Sequence, residues 1–90
     1  MDVFIYINGR MDYSLDQLED AIEEALGPAG EVTGTGTGVS GSNFDIEVFE
    51  DNFDPSEIVA ILRSSLAGFD LPASSRIHIA DQVLPLAEEG

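Results

Sequence analysis

The ninety residues contain no cysteine, no tryptophan and no lysine, and only a single histidine. Without cysteine there is no disulfide framework, no thiolate nucleophile and no cysteine-zinc site. Such a chain suits a reducing compartment, and a cytoplasmic location is expected. No apolar run reaches the roughly 18 residues that a membrane span requires. Residues 1–7 also lack the basic start and long apolar stretch of a secretory signal. One histidine alone makes no transition-metal ligand set, so neither a metal nor a cofactor is expected. The absence of lysine leaves only Arg10, Arg63 and Arg76 against eighteen Asp and Glu, a formal net charge of −15. A surface so anionic repels nucleic acid and anionic lipid and attracts basic proteins and cations. The same imbalance also fits a GC-rich genome or a salt-adapted cell, where charge serves solubility alone.

What is present suffices for one small domain over residues 1–90, with a core in about residues 1–80 and a short acidic tail over 81–90. The apolar share of 43% is that of an ordinary globular chain. A chain this short buries only about 60–65% of its unfolded surface, so its core is thin.

Periodicity sets the elements. Residues 2–8 alternate, with Val3, Ile5 and Ile7 on one side and Phe4, Tyr6 and Asn8 on the other, which predicts a strand before a turn at Gly9-Arg10. Leu15, Leu18, Ile22, Ala25 and Leu26 recur at helical spacing. Ser14 and Gln17 suit a capping box, and Gly27-Pro28 ends the helix. Residues 30–39 alternate Thr with Gly and predict a second strand, with Thr33, Thr35, Thr37 and Val39 on one face. Ser40-Gly41-Ser42 reads as a turn. Residues 43–50 predict a third strand, with Phe44, Ile46 and Val48 inward and Asp45, Glu47 and Phe49 outward. Asp54 as N-cap, Pro55 at the first position and Glu57 at the third open a second helix with Ile58, Val59, Ile61, Leu62 and Leu66 as its buried stripe. Gly68 suits the position just past its end, with Phe69 packed behind and Pro72 blocking continuation. Residues 75–80 predict a last strand, with Arg76 and His78 outward, and the tail from 81 to 90 is expected to be irregular. The order β-α-β-β-α-β is that of the ferredoxin-like arrangement: an α+β sandwich of a four-stranded antiparallel sheet, in order 4-1-3-2, with two helices on one face.

That register lays out an uncovered sheet face bearing Phe4, Tyr6, Asp45, Glu47 and Phe49, with Thr33, Thr35 and Thr37 at one edge and Arg76 and His78 at the other. Aromatic anchors with a charged rim are interface chemistry. Cross-strand aromatic and β-branched pairs that simply stabilise the sheet are the plainer alternative. The first helix presents a second acidic surface of Glu19, Asp20, Glu23 and Glu24. Asp16 with Asp20, Glu19 with Glu23 and Asp20 with Glu24 are like-charge pairs four residues apart, each costing about 0.2–0.5 kcal/mol. If that helix meets a basic partner, reversing Glu19, Asp20, Glu23 and Glu24 to Lys abolishes capture.

Several chemical readings are excluded or weak. The Thr-Gly repeat lacks the Gly-Lys-Ser/Thr ending and following helix of a phosphate loop. It suits either a strand that lets a helix pack closely or an edge strand open to a partner strand. Residues 50–54 lack calcium-loop spacing. The lone His78 defines no nucleophile triad, and the Asp45 and Glu47 pair needs a pocket that a thin domain hardly holds. An enzyme is not expected.

Asn8-Gly9-Arg10, the run Gly30-Glu31-Val32-Thr33-Gly34-Thr35-Gly36-Thr37 and Asp45-Ile46-Glu47 together resemble small acidic bacterial proteins of the immunity type, which neutralise toxins. The resemblance covers most of residues 1–80 and departs in the missing lysines and the short tail. It implies a non-enzymatic inhibitor whose acidic surface blocks a cognate toxin. The alternative is a small regulatory or ligand-binding ferredoxin-like domain acting as an oligomer. Oligomeric state is left open by the residues.

Overall fold

The computed structural model describes residues 1–8, 14–38, 41–49, 54–69, 71 and 75–86. Its elements are β1 (Asp2–Asn8), α1 (Leu15–Leu26), a 3-10 turn (Gly27–Ala29), β2 (Gly30–Gly38), β3 (Gly41–Val48), α2 (Pro55–Leu66), β4 (Arg76–Ile79) and β5 (Gln82–Pro85). All neighbouring strands are antiparallel, and the sheet order is β2-β3-β1-β4-β5.

The four-stranded ferredoxin-like sandwich is therefore overturned. A fifth strand extends the sheet beyond β4, within residues expected to form an irregular tail. Ala80 and Asp81 take φ of 50° and 65°, the left-handed pair that makes a two-residue hairpin turn. The chain doubles back so that Val83 pairs with His78 and Leu84 with Ile77. Leu86, just past β5, is buried in the core, and its N–H donates to the Ser75 carbonyl over 2.9 Å.

One apolar layer holds the rest. Val3, Ile5 and Ile7 of β1, Phe44, Ile46 and Val48 of β3, and Ile77 and Ile79 of β4 are buried on a single face. They meet Leu18, Ile22 and Leu26 of α1 and Ile58, Val59, Leu62 and Leu66 of α2 in one cluster. Both helices thus cover the same side of the sheet and leave the other side open. Burying such side chains supplies about 1.5–3 kcal/mol each, and the strict alternation along β1 and β3 is what directs them to one side.

The helix ends show where local sequence acts. Ser14 Oγ accepts from the Gln17 N–H at 3.3 Å, and Gln17 Oε1 accepts from the Ser14 N–H at 3.0 Å, the reciprocal capping box. At α2, Asp54 occupies the N-cap position, but its side chain makes no cap bond. Its carbonyl instead accepts from Glu57 and Ile58. Gly68 does not adopt a left-handed φ, so the expected glycine stop is absent, although Phe69 does pack against the core. Gly41 and Ser42 lie in β3 rather than in a turn. Gly9, Arg10, Val39, Ser40, Pro72 and residues 50–53, to which sequence expectations also attach, lie outside the described residues.

Candidate functional site: the uncovered sheet face

The open face is assembled by cross-strand register. Phe4 on central β1 stands opposite Asp45 on one side and His78 on the other, and His78 stands opposite Val83. In the next row, Tyr6 stands between Asn43 and Arg76, with Pro85 beyond. A third row at the far end of β1 is acidic throughout, with Glu31 opposite Glu47 and Glu47 opposite Asp2. Phe4 is 36% exposed, Tyr6 38%, Phe49 55% and Val83 58%, an unusual set of apolar side chains to leave in water on a thin domain. Tyr6 and His78 stack edge to face with centroids 4.6 Å apart at 63°, within the favoured range for aromatic pairs.

The acidic row carries an electrostatic cost. A side-chain hydrogen bond with Asp2, and then the Asp2 charge, raise the Glu47 pKa above its ordinary value. Desolvation and Glu31 act in the same direction, and the N-terminal ammonium opposes them. Like charges set directly opposite on neighbouring strands are destabilising.

β2 departs from its expected facing. Val32 pairs with Ile46, but the next register partner of Asp45 is Gly34, with a bulge between. The extra residue, Thr33, donates from Oγ1 to the Asp45 carbonyl at 3.2 Å. Beyond it Thr35 pairs with Phe44 and Thr37 with Ser42, on the side that carries the helices. Gly34 and Gly36 take the uncovered side instead, beside Asp45 and Asn43. The expected placing of Thr35 and Thr37 on the open face is therefore incorrect, while Thr33 is the bulged residue beside Asp45. A bulge inserts one residue and so reverses the facing of everything after it. The glycines do not make room for a helix. A Cβ on Gly34 would lie 3.2 Å from Asp45 Oδ2, and one on Gly36 would lie 2.8 Å from Asn43 Oδ1. They make room for these two side chains, which lean over β2 and are joined by an Asn43 Nδ2 to Asp45 Oδ1 hydrogen bond of 3.4 Å.

The candidate residues thus fall into two groups. Phe4, Tyr6, Asp45 and Glu47 belong to the open side, and His78 and Val83 join them, while Phe49 follows the end of β3 and is exposed. Glu19, Asp20, Glu23 and Glu24 lie on α1, whose buried Leu18, Ile22 and Leu26 face the sheet. Asp20, Glu23 and Glu24 are exposed and Glu19 is half-buried on a helix that covers the other side of the sheet, so the two groups do not form one surface. Sequence reasoning missed Val83, because β5 was not foreseen, and missed the Asn43–Asp45 ledge, because nothing in a Thr-Gly alternation marks a bulge. Among the described residues no group of three or more His, Asp or Glu is placed to hold a metal ion, and no helix is long and apolar enough to cross a membrane. No family model, curated protein or solved structure matches the chain.

Proposed function

We propose that this chain is a non-enzymatic protein-binding inhibitor, and specifically an immunity protein that neutralises a cognate bacterial toxin of basic character. The observation that carries this reading is the uncovered face itself, where Phe4 and Tyr6 stand half-exposed at the centre of the sheet and Asp2, Glu31, Asp45 and Glu47 flank them. Aromatic side chains at the middle of a patch supply affinity when a partner desolvates them. The surrounding carboxylates select a positive partner and speed its approach. The resemblance to immunity-type proteins noted above supports the same reading. An interface of ordinary size takes about 800 Å² from each partner, so one rigid partner covers one side. The open face then makes the contacts, and the α1 acids add long-range attraction.

The test is capture of the partner from the native host on the immobilised protein, paired with rescue of cell growth when the captured protein is co-expressed. The wild type is expected to retain a basic protein and restore growth. Replacing Phe4 and Tyr6 together by Ser is expected to release it, through faster dissociation. Reversing Glu19, Asp20, Glu23 and Glu24 to Lys is expected to slow association and weaken its dependence on salt. Undiminished capture and rescue by the Phe4 and Tyr6 double variant would remove the open face as the docking surface.

A further inference from the structure

β2 ends the sheet on one side, is nine residues long and contains neither proline nor lysine. Thr33, Thr35 and Thr37 are exposed. The backbone of such a strand offers alternate N–H and C=O groups to a further strand. On its uncovered side β2 carries no side chain at Gly34 or Gly36, and in their place lies the ledge formed by Asp45 and Asn43. Asp45 Oδ1 is engaged by Asn43, and Oδ2 is the atom that lies over Gly34.

We propose that the outer edge of β2 is a strand-addition site for an extended basic segment of another protein, with an arginine or lysine opposite Gly34 reaching over the glycine to the Asp45 carboxylate. The geometry follows from sheet spacing. A strand added to β2 lies about 4.8 Å from it, so its residue opposite Gly34 is about 10 Å from Asp45 across the glycine. A bulky side chain at position 34 would block that path. A long basic side chain spans it, and the forward lean of Asp45 shortens it. Charge selects the occupant. A second copy of this chain would bring another −15 body to the seam and, in antiparallel pairing, align Glu31 and Asp45 of both copies along it. A basic segment meets Asp45 and, one pair further, the Asn43 amide oxygen over Gly36. The proposal rests on the protein-binding reading and adds the mode and chemistry of recognition.

The test uses the whole protein and three end-blocked peptides: Thr-Arg-Thr-Arg-Thr, the same sequence N-methylated at alternate amides, and Thr-Glu-Thr-Glu-Thr. Backbone amide NMR is expected to show shifts over residues 30–38 with the arginine peptide, and slower hydrogen exchange there. N-methylation removes strand hydrogen bonds but keeps the charge, and is expected to weaken binding by roughly tenfold or more. The glutamate peptide is expected not to bind. Asp45→Asn is expected to weaken the arginine peptide by about tenfold, as loss of a charge-assisted contact does, and Gly34→Lys to abolish binding. Equal binding of the N-methylated peptide, or shifts that fall on α1, overturns the proposal. So does a β2-paired dimer in sedimentation that excludes the peptide. Should Gly34→Lys fail to fold, the N-methylated peptide on the unaltered protein decides. Partner capture that survives Gly34→Lys but is lost with the Phe4 and Tyr6 variant would sink strand addition and leave the inhibitor reading intact.

Discussion

The two edges of the sheet are built on different principles. At one edge, β5 is four residues long, ends in Pro85 and is held from several directions. Arg63 of α2 donates from Nε at 3.2 Å and from Nη2 at 2.8 Å to the Pro85 carbonyl. Leu86 then turns into the core and bonds the Ser75 carbonyl. Short length and proline are standard protections of an exposed edge, and proline is tolerated there because no further strand needs its N–H. At the other edge, β2 is more than twice as long and carries glycine at alternate positions, and among the described residues the bulge at Thr33 and the charge of Glu31 are what deter a neighbour. Among the described residues, the chain closes the β5 edge with these devices and does not repeat them at β2.

Removing the anchor of the closed edge is the most damaging way to break that contrast. Leu86→Ala empties a buried site next to the hairpin and is expected to cost about 2–5 kcal/mol, the range for a core leucine truncated to alanine. Urea unfolding reports the loss. Hydrogen exchange localises it: the β4–β5 amides should lose protection first, while β1 and β3 keep theirs at the new global limit. If β5 stays as protected as β1 in the variant, the buried leucine is not what holds the closed edge.

Strengthening the same edge gives a smaller effect of opposite sign. Ala80 is held at φ 50°, where a residue with a Cβ is disfavoured by about 1–2 kcal/mol. Asparagine tolerates that conformation far better and leads the residues found in such turns. Ala80→Asn is therefore expected to raise stability by about 1 kcal/mol, seen as a higher urea midpoint at unchanged slope. A lower midpoint would mean that the turn is not as tight as its φ values imply.

The same turn explains what the sequence could and could not tell. The buried Leu18, Ile22 and Leu26 of α1, the stripe of α2, the Ser14–Gln17 box and the facing of β1, β3 and β4 were legible because residue type marks them at regular spacing, whereas Ala25, expected in the α1 stripe, is exposed. β5 was not. Ala80-Asp81 lacks the Asn-Gly signature of a two-residue hairpin, and Pro85 argues against a strand unless that strand is known to lie at an edge. The facing of β2 was illegible for a related reason. Register is fixed by the burial of one face, and past Val32 this strand has no apolar residue before Gly38 to fix it. Phe4, Tyr6, Asp45 and Glu47 were placed correctly on the uncovered side because their neighbours Val3, Ile5, Ile46 and Val48 must be buried. The relation of that side to the α1 acids required the layer arrangement.

The smallest expected effect concerns the acidic row that joins the open edge to the middle of the sheet. Glu47 stands between Asp2 and Glu31, and its pKa is raised chiefly by its hydrogen bond with Asp2 and by the Asp2 charge. Because the folded value exceeds the unfolded one, the folded state holds this proton more tightly over the interval between them. Stability from Glu47 is therefore fully present below its ordinary pKa and is lost as pH rises through the raised value. Glu47→Gln removes that loss. The variant is expected to unfold at a slightly higher urea concentration than the wild type near neutral pH, and the gap should close as pH falls toward the ordinary range of glutamate. Carboxylates remote from Glu47 are common to both proteins, so the difference between the two curves isolates this row. A gap that widens on acidification would show that Glu47 is stabilised by its surroundings in the charged form, and that β2, β3 and β1 meet there without the repulsion inferred from their register.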